Sequence, residues 1–289
     1  MTPKELLKKA REEKWAVGHF NVSDANQLKA VVAAAQNMRA PVFIGASEGE
    51  RNFFGLKQLV ALVKIYREET QLPIFLNADH TKSYEECVKA IDAGFDMIHF
   101  DGSVLSFEEN VSITKRVVQC AKEKNPDISV EGELGYLRGK SEVQEYVEVK
   151  KEDFTKPEQA KEFVEKTGID RLAIVFGNFH GIASKQEEHL DFSVLQDVAK
   201  IIPETFLVLH GGSGIKDEEV KEAVGRGIVK VHFNTELRMA YTNGIKKALY
   251  DNPKETTPYK IFPVGMDAMQ KIVEEKIKIF GQKDICTTT

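Results

Sequence analysis

The chain of 289 residues is 42% hydrophobic and 29% charged, a composition typical of a folded globular protein and unlike a disordered one. With 40 basic and 45 acidic residues its formal net charge is −5, which argues against a nucleic-acid-binding protein. No run of about 18 apolar residues is present, so we expect no membrane-spanning helix.

The N-terminal segment and the cysteines indicate the compartment. The first residues are amphipathic and contain no apolar signal core. Cys87, Cys120 and Cys286 are too few and too widely spaced to form a metal or redox motif. We therefore expect a reducing, cytoplasmic location.

Short apolar or β-branched runs alternate with longer helical stretches along the whole chain. The runs show no clean polar alternation, which is typical of strands that are covered on both faces. The predicted strands are Trp15–Phe20, Pro41–Ile44, Pro73–Leu76, Met97–Phe100, Ile128–Glu133, Leu172–Phe176, Phe206–Leu209 and Val229–Phe233. Predicted helical stretches cover 27–36, 56–69 and 83–94, begin near 106 and 156, and cover 218–224 and 236–249.

Start and stop signals support several of these helices. Ser83 is followed three residues later by Glu86, and Ser106 by Glu109, the spacing of a capping box. Gly94 stands where the helix after Ser83 should end.

The repeated pairing of strand and helix predicts an α/β fold. Eight predicted strands that alternate with helices match the number of strands in a closed parallel barrel, so we predict a single (β/α)8 TIM barrel over residues 1–289. A doubly wound sheet is the alternative, although it more often has about five to seven strands. Residues 134–156, rich in Gly, Lys and Glu, are expected to form a mobile active-site loop, and the tail after residue 281 to fray.

The histidines are concentrated where such barrels place their chemistry, at the C-terminal ends of strands. Of the seven histidines, His189 is the one that lies clearly outside a strand or its C-terminal end. His80, His180 and His210 follow the third, sixth and seventh strands, and three imidazoles with an open position are the usual catalytic zinc arrangement. The alternative is three separate histidines, each with its own hydrogen bonds.

Acidic side chains occur at the same strand ends. Asp79 directly precedes His80, where a carboxylate can transfer a proton to a hydroxyl beside the metal. Glu131 and Glu133 are two residues apart and share one face of the fifth strand. Buried carboxylates there would need a cation, which a metal supplies; the alternative is a salt-bridged or surface position.

A glycine-rich turn, His210–Gly214, follows the seventh strand, and Asn234 and Thr235 follow the eighth. This is the customary phosphate position of the fold, and free N–H groups favour an anion. Lys185 can add a positive charge. Tight turns favour glycine in any case, and Lys185 is equally compatible with a solvated loop.

The ordered set of motifs resembles the class II, zinc-dependent ketose-bisphosphate aldolases, which act on fructose and tagatose bisphosphates. The resemblance covers nearly the whole chain, and the tagatose-type branch is the most similar. The motifs that carry it are Gly18–Asn21, Ser47–Gly49, Ala78–His80, Phe100–Ser103, Val130–Gly135, Gly177–Gly181, Leu209–Gly214, Asn234–Leu237 and Val264–Met269.

The resemblance implies a role for each matching residue. It implies zinc on His80, His180 and His210, with Asp79 as proton donor to the aldehyde-derived oxygen. Asp101 and Glu133 match the family's alternative metal position. The positions that match its substrate site are Asn21, Ser47, Gly181, Lys185, Gly211, Ser213, Asn234 and Thr235, most of them around the phosphate of dihydroxyacetone phosphate. It also implies a homodimer or homotetramer and a monovalent cation, Na+ or K+, near the phosphate.

Two departures from the family pattern concern the site. His232 stands where the family usually has an asparagine that touches the bound ketone phosphate. In the loop after the fifth strand, Glu142 is the acidic residue left as the base for carbon deprotonation, where the family usually has two acidic residues.

We therefore predict reversible aldol cleavage of a ketose 1,6-bisphosphate, of fructose or tagatose type, to dihydroxyacetone phosphate and an aldehyde phosphate. Two alternatives keep the same site: cleavage of a related ketose phosphate to a different aldehyde, and non-catalytic binding of a phosphosugar. Two others change the chemistry: a metal-dependent hydrolase, and a Schiff-base aldolase using Lys230.

Overall fold

The computed structural model describes residues 1–286 and contains a closed barrel of parallel strands. In that range the chain forms ten strands: β1 (Val17–Asn21), β2 (Val42–Ala46), β3 (Ile74–Thr81), β4 (Met97–Phe100), β5 (Ser129–Leu134), β6 (Gly139–Gln144), β7 (Arg171–Ile174), β8 (His180–Ala183), β9 (Phe206–Leu209) and β10 (Ile228–Phe233). The barrel order is β1-β10-β9-β7-β5-β4-β3-β2, while β6 pairs with β8 outside it. The predicted (β/α)8 TIM barrel is confirmed.

The α-helices of the described residues are α1 (Pro3–Glu13), α2 (Ala25–Met38), α3 (Glu48–Phe54), α4 (Leu56–Thr70), α5 (Tyr84–Ala93), α6 (Phe107–Lys124), α7 (Pro157–Thr167), α8 (Phe192–Ile201), α9 (Asp217–Gly225), α10 (Thr235–Asp251) and α11 (Pro258–Ile279). Ser83 accepts from the Glu86 N–H at the start of α5, and Gly94 ends that helix with φ +101°, as predicted. Within residues 1–286, every helix is too short or too polar to cross a bilayer.

On several barrel strands the residues of the inner face change from apolar to polar along the strand. On β1 the alternate residues are Val17, His19 and Asn21. The same change occurs at 75, 77 and 79 on β3, and at 97, 99 and 101 on and just after β4. Successive residues of a strand point to opposite faces, so the apolar residues between them pack outward against the helices. The C-terminal half of the barrel interior is therefore polar and buried.

The N-terminal end of the barrel is closed by an apolar floor. Val17, Phe43 and Phe75 form one cluster there with Leu6 and Leu7 of α1. Burial of such side chains contributes roughly 1.5–3 kcal/mol each. Apolar side chains therefore fill the N-terminal end of the barrel, and the polar half of its interior lies at the C-terminal end.

The described part of the tail after residue 281 is hydrogen-bonded to the barrel. Gln282 is buried and accepts a hydrogen bond of 3.0 Å from the Gly18 N–H. The Asp284 N–H donates to the Met38 carbonyl at 2.8 Å. Hydrogen bonds therefore tie residues 282–286 to β1 and α2, and fraying of the tail stays a prediction; residues 287–289 lie outside the described residues.

The segment 134–156 lies across the mouth of the barrel. Its strand β6 pairs with β8, and Arg138 forms an ion pair with Asp153 near its base. These contacts position the segment beside the site, and its mobility stays a prediction.

Candidate active site

A cavity of about 340 Å³ opens at the polar, C-terminal end of the barrel. Most of the predicted site residues line it. They are Asn21, Ser47, Asp79, His80, His180, Gly181, His210, Gly211, Ser213, His232, Asn234 and Thr235. Strands that are distant in sequence therefore bring their ends to one cavity, as the fold predicts.

His80 has an unusual backbone conformation. The pairing of β3 with β4 shifts register between Ala78 and Thr81, and His80 has a positive φ of +42°. The His80 N–H donates to His99 Nδ1 at 3.1 Å, which supports this conformation. Non-glycine residues adopt positive φ rarely, and such residues cluster at functional sites.

The imidazoles of His80 and His210 face each other, each through one ring nitrogen. His80 Nδ1 lies 2.8 Å from Asp101 Oδ2, and His210 Nε2 lies 2.8 Å from Glu131 Oε1, so each of these nitrogens carries the proton. The remaining nitrogens, His80 Nε2 and His210 Nδ1, are 3.1 Å apart. Two nitrogen ligands of a tetrahedral zinc lie about 3.3 Å apart. The donor set therefore fits a metal ion, which these two nitrogens would hold.

His180, the third histidine of the predicted trio, lies at the edge of the His80 ring. The centroids of these two rings are 4.8 Å apart. Burial and the neighbouring His80 and His210 hold the pKa of His180 well below its usual value. A neutral imidazole is the form that binds a metal. Among residues 1–286, one group of closely spaced ligand atoms combines Asp79, His80, His99 and His210, and no such group includes His180.

Asp101 and Glu133 lie on the far side of His80 from His210. Asp101 Oδ2 contacts His80 Nδ1 and the ammonium of Lys82. Glu133 Oε2 lies 3.1 Å from His99 Nε2 and 3.7 Å from His80 Nδ1. Together with His80 they form a second possible ligand group, at the position that the resemblance implies.

Asp79 is a buried carboxylate whose orientation is fixed by its neighbours. Asn21 Nδ2 donates to Asp79 Oδ2 at 3.0 Å, and His232 Nδ1 lies 3.3 Å from Asp79 Oδ1. Burial raises the pKa of Asp79, but His80 and His232 outweigh it and keep the pKa well below its usual range. Asp79 is thus held as a proton acceptor at the cavity wall.

His232 belongs to a stack of three imidazoles. Its ring lies between those of His19 and His210, with centroid distances of 3.7 Å on both sides. The parallel register of β1 and β10 places His19 directly beside His232. Burial and these neighbours hold the pKa of His232 well below its usual value. His232 therefore packs against the ring of His210 and also lines the cavity.

A buried ion cluster lies beneath the histidines. Glu131 Oε2 lies 2.7 Å from Lys230 Nζ and 3.1 Å from Arg171 Nε. Glu131 is thus salt-bridged, the alternative considered above, and its other oxygen orients His210. Burial lowers the pKa of Lys230 to about 8. Lys230 does not line the cavity, and this position offers no support for a Schiff-base mechanism.

The glycine-rich turn after β9, residues 210–214, forms another wall of the cavity. Gly211 has a φ of +67°, and a Cβ there would lie 2.0 Å from the Phe179 carbonyl oxygen. Only glycine fits such a close approach. Ser213 Oγ accepts from the Glu236 N–H in the first turn of α10, 3.4 Å away. This wall therefore offers hydroxyl and N–H donors near a helix N-terminus.

Besides Asp101 and Glu133, two further predicted residues, Lys185 and Glu142, lie outside the cavity. Lys185 is exposed, and its Nζ lies 2.9 Å from Glu145 Oε2. Glu142 is exposed and lines a neighbouring groove beside β6 and α10. In the described conformation, Ser141 faces the cavity in place of Glu142. Both residues would need a movement of the 134–156 segment or of the β8 loop to reach a ligand.

Sequence reasoning missed two charged residues of the lining, Glu50 and Arg238. Glu50 occupies the third position of α3 and forms a capping box with Ser47, a spacing that is visible in the sequence. Arg238 lies one turn into α10, four residues after Asn234. In both cases the signal is a charged residue in the first turn of a helix that follows a barrel strand.

The loop before His180 is held by a buried carboxyl group. Glu188 Oε1 accepts from the Phe179 N–H at 2.9 Å. Burial raises the pKa of Glu188 to about 9, from an ordinary value of 4.5. Between these values the folded chain keeps a proton that the unfolded chain releases. The free energy of unfolding therefore falls as the pH rises through this window.

Glu188→Gln is expected to remove this pH dependence. Glutamine keeps the acceptor for the Phe179 N–H and cannot ionise, so the variant should gain stability over the wild type, increasingly from pH 6 to pH 9. Urea unfolding at several pH values measures this difference. Glu204→Gln, at a carboxylate that is 93% exposed, is the control and should leave the curve unchanged. Parallel curves for wild type and Glu188→Gln would contradict the assignment.

Comparison with known proteins agrees with this geometry. The family described as "Fructose-bisphosphate aldolase class-II" matches residues 1–285. The chain is 36% identical to a sulfofructosephosphate aldolase of Alkalicoccus urumqiensis, covering 99% of this chain and 98% of that protein. It is 38% identical to a fructose-bisphosphate aldolase of Geobacillus stearothermophilus, covering 96% of each.

A solved structure shows the same fold. The YdjI aldolase of Escherichia coli K12 superposes with a TM-score of 0.84 at 30% identity, over 98% of both chains. The family match spans almost the whole barrel and includes every strand end that lines the cavity. The chain therefore belongs to the class II fructose-bisphosphate aldolase family and is an aldolase, a lyase that breaks and forms carbon–carbon bonds.

Proposed function

We propose that this aldolase reversibly cleaves a ketose 1,6-bisphosphate, of fructose or tagatose type, to dihydroxyacetone phosphate and an aldehyde phosphate. The metal in this proposal is zinc, held by His80, His180 and His210. The observation that carries it is the 3.1 Å approach of His80 Nε2 and His210 Nδ1, the ring nitrogens that Asp101 and Glu131 do not contact. A bound zinc ion supplies Lewis-acid polarisation of the ketone oxygen.

The protein's own residues carry the proton transfers and the orientation. Asp79, oriented by Asn21, removes the proton of the substrate hydroxyl during cleavage and returns it during condensation. We retain Glu142 as the proposed base for the carbon-bound proton, brought to the cavity by movement of the 134–156 segment. Asp101 and Glu131 hold the His80 and His210 rings in position.

The phosphate of the three-carbon product is proposed to bind the donor-rich wall. Gly181, Gly211, Ser213 and Thr235 lie together there. Lys185 remains a proposed phosphate ligand only with loop movement. A fixed phosphate orients the reacting carbon, so that remote binding energy lowers the barrier. We propose that a monovalent cation, Na+ or K+, binds beside this phosphate.

A second candidate substrate is a ketose phosphate that yields a different aldehyde. The observation that favours it is the 36% identity to a protein named sulfofructosephosphate aldolase. Fructose and tagatose bisphosphates differ in one hydroxyl configuration, so the cavity wall on the aldehyde side decides among these substrates.

One set of assays tests the proposal. The purified protein is given fructose 1,6-bisphosphate, tagatose 1,6-bisphosphate and sulfofructose 1-phosphate, and its metal content is measured by mass spectrometry. We expect turnover of at least one substrate, about one zinc per chain, and loss of turnover with a chelator. Tight binding without turnover would favour the non-catalytic alternative, and turnover that survives complete metal removal would exclude zinc chemistry.

We propose a homodimer or homotetramer in the cytoplasm. Tyr250 and Tyr259, 86% and 76% exposed beside the α10–α11 turn, are aromatic residues that an interface would cover. The cysteines at 87, 120 and 286 are all unpaired, which suits a reducing compartment. Light scattering of the purified protein measures the oligomeric state.

A further inference from the structure

Glu50 presents one carboxylate oxygen to the cavity that its neighbours leave open. Its Oε2 accepts from the Ser47 N–H at 2.7 Å and from Asn21 Nδ2 at 2.8 Å. Its Oε1 has a long contact of 3.4 Å with Asn234 Nδ2. Oε2 is thus committed to fixed donors, whereas Oε1 can accept a further, shorter hydrogen bond.

A neighbouring amide oxygen, Oδ1 of Asn234, is a further acceptor at the same place. Asn21 Nδ2 donates to both Glu50 and Asp79, so the amide protons of Asn21 are already used. Asn234 Oδ1 is buried and has no hydrogen-bond partner among residues 1–286. A buried acceptor without a partner is unfavourable, and a ligand that donates a hydrogen bond removes this penalty.

The cavity therefore has two chemically different walls. The wall of Gly211, Ser213 and Thr235 offers donors, and the guanidinium of Arg238 lies on the lining too. The wall of Glu50 and Asn234 offers acceptors and a negative charge. An anionic group is repelled by a carboxylate in a partly desolvated site, while a hydroxyl group can donate to it.

We propose that Glu50 and Asn234 form a subsite that binds hydroxyl groups of the aldehyde half of the substrate. The inference rests on the proposed function, because the phosphate of the ketone half occupies the donor wall and leaves this wall for the aldehyde. The subsite selects hydroxylated aldehydes over aldehydes of the same length without hydroxyl groups. An aldehyde that carries an anion turns that group away from Glu50.

Condensation of dihydroxyacetone phosphate with two unphosphorylated aldehydes tests the subsite in the metal-loaded enzyme. Glyceraldehyde has two hydroxyl groups, and propanal has the same carbon chain with none. In both reactions the ketone phosphate loses a proton from its hydroxymethyl carbon, that carbon bonds to the aldehyde carbon, and a proton is added to the aldehyde oxygen. The measured quantity is the ratio of kcat/KM for glyceraldehyde to kcat/KM for propanal.

Three variants separate the subsite from the fold. Glu50→Ala should lower the ratio roughly tenfold or more, through a higher KM for glyceraldehyde, because a charge-assisted hydrogen bond is lost. Glu50→Gln keeps the capping box of α3 and one acceptor, and should lower the ratio by a smaller factor. Glu48→Gln is the matched control, since Glu48 lies on the same helix and contacts the Lys82 N–H outside the cavity. It should leave the ratio unchanged.

The outcomes distinguish this inference from the proposed function. An equal decrease of kcat/KM for both aldehydes in the Glu50 variants would overturn the subsite and leave the aldolase reaction intact. An unchanged ratio would overturn it as well, and if Glu50→Ala fails to fold, the ratio of Glu50→Gln decides. A wild-type enzyme that condenses dihydroxyacetone phosphate with neither these aldehydes nor aldehyde phosphates would overturn the proposed function, and the subsite with it.

Discussion

His210→Ala is expected to lose both the bound metal and the aldolase activity. The change removes the imidazole ring that Glu131 orients, and with it one of the two nitrogens that face each other. Lewis-acid polarisation contributes several kcal/mol to the transition state, so kcat/KM should fall by about 10³-fold or more. Metal content after dialysis and the cleavage rate are measured on the same preparation.

His189→Ala is the control for this experiment. His189 is exposed and contacts Glu219 at 2.9 Å, outside the cavity, so its loss should change neither metal content nor rate. A His210→Ala variant that keeps one metal per chain and the wild-type rate would locate the metal elsewhere in the molecule.

Glu131→Gln is expected to have the largest effect on stability. It removes the counter-charge of Lys230 and Arg171, both fully buried. Breaking a buried ion pair by removing one partner typically destabilises a protein by about 3–5 kcal/mol. Urea unfolding of the variant measures the difference, and its metal affinity should fall too because His210 loses the carboxylate that orients it.

The double variant Lys230→Met with Glu131→Gln separates charge from packing. Removing one of the two cations that have lost their counter-charge should restore part of the lost stability, because fewer buried charges are then left unpaired. If the single variant proves as stable as the wild type, the buried charges are compensated by solvent that reaches the cluster, and the electrostatic account fails.

The barrel could be predicted from sequence because its strands have strong local signals. Runs such as Met97–Phe100 and Phe206–Leu209 are apolar on the outer face and are separated by helices with clear caps. Helices α1, α3, α8 and α11 are missing from the sequence prediction, and α11 contains Pro263 in its interior, a residue that normally ends a helix. The pairing of β6 with β8 joins segments about 40 residues apart and has no local signature.

The site was predictable to the extent that it depends on position along a strand. His80, His180 and His210 were found because the fold brings strand ends together. The roles of Arg171 and Lys230 depend on which residues of distant strands share the interior, so the sequence alone does not reveal them. The same holds for Lys185, whose direction is decided by a loop and by its pairing with Glu145.

The apolar floor beneath the barrel has a consequence for exchange with the solvent. Leu6 and Leu7 of α1 pack against the floor, so ions and substrates reach the polar interior through the cavity at the opposite end. When a cavity opens at one end, the ligand at its deepest position binds first and is released last. If the histidines hold the proposed ion and the sugar phosphate binds nearer the opening, we expect saturating substrate to slow the removal of the ion by chelators.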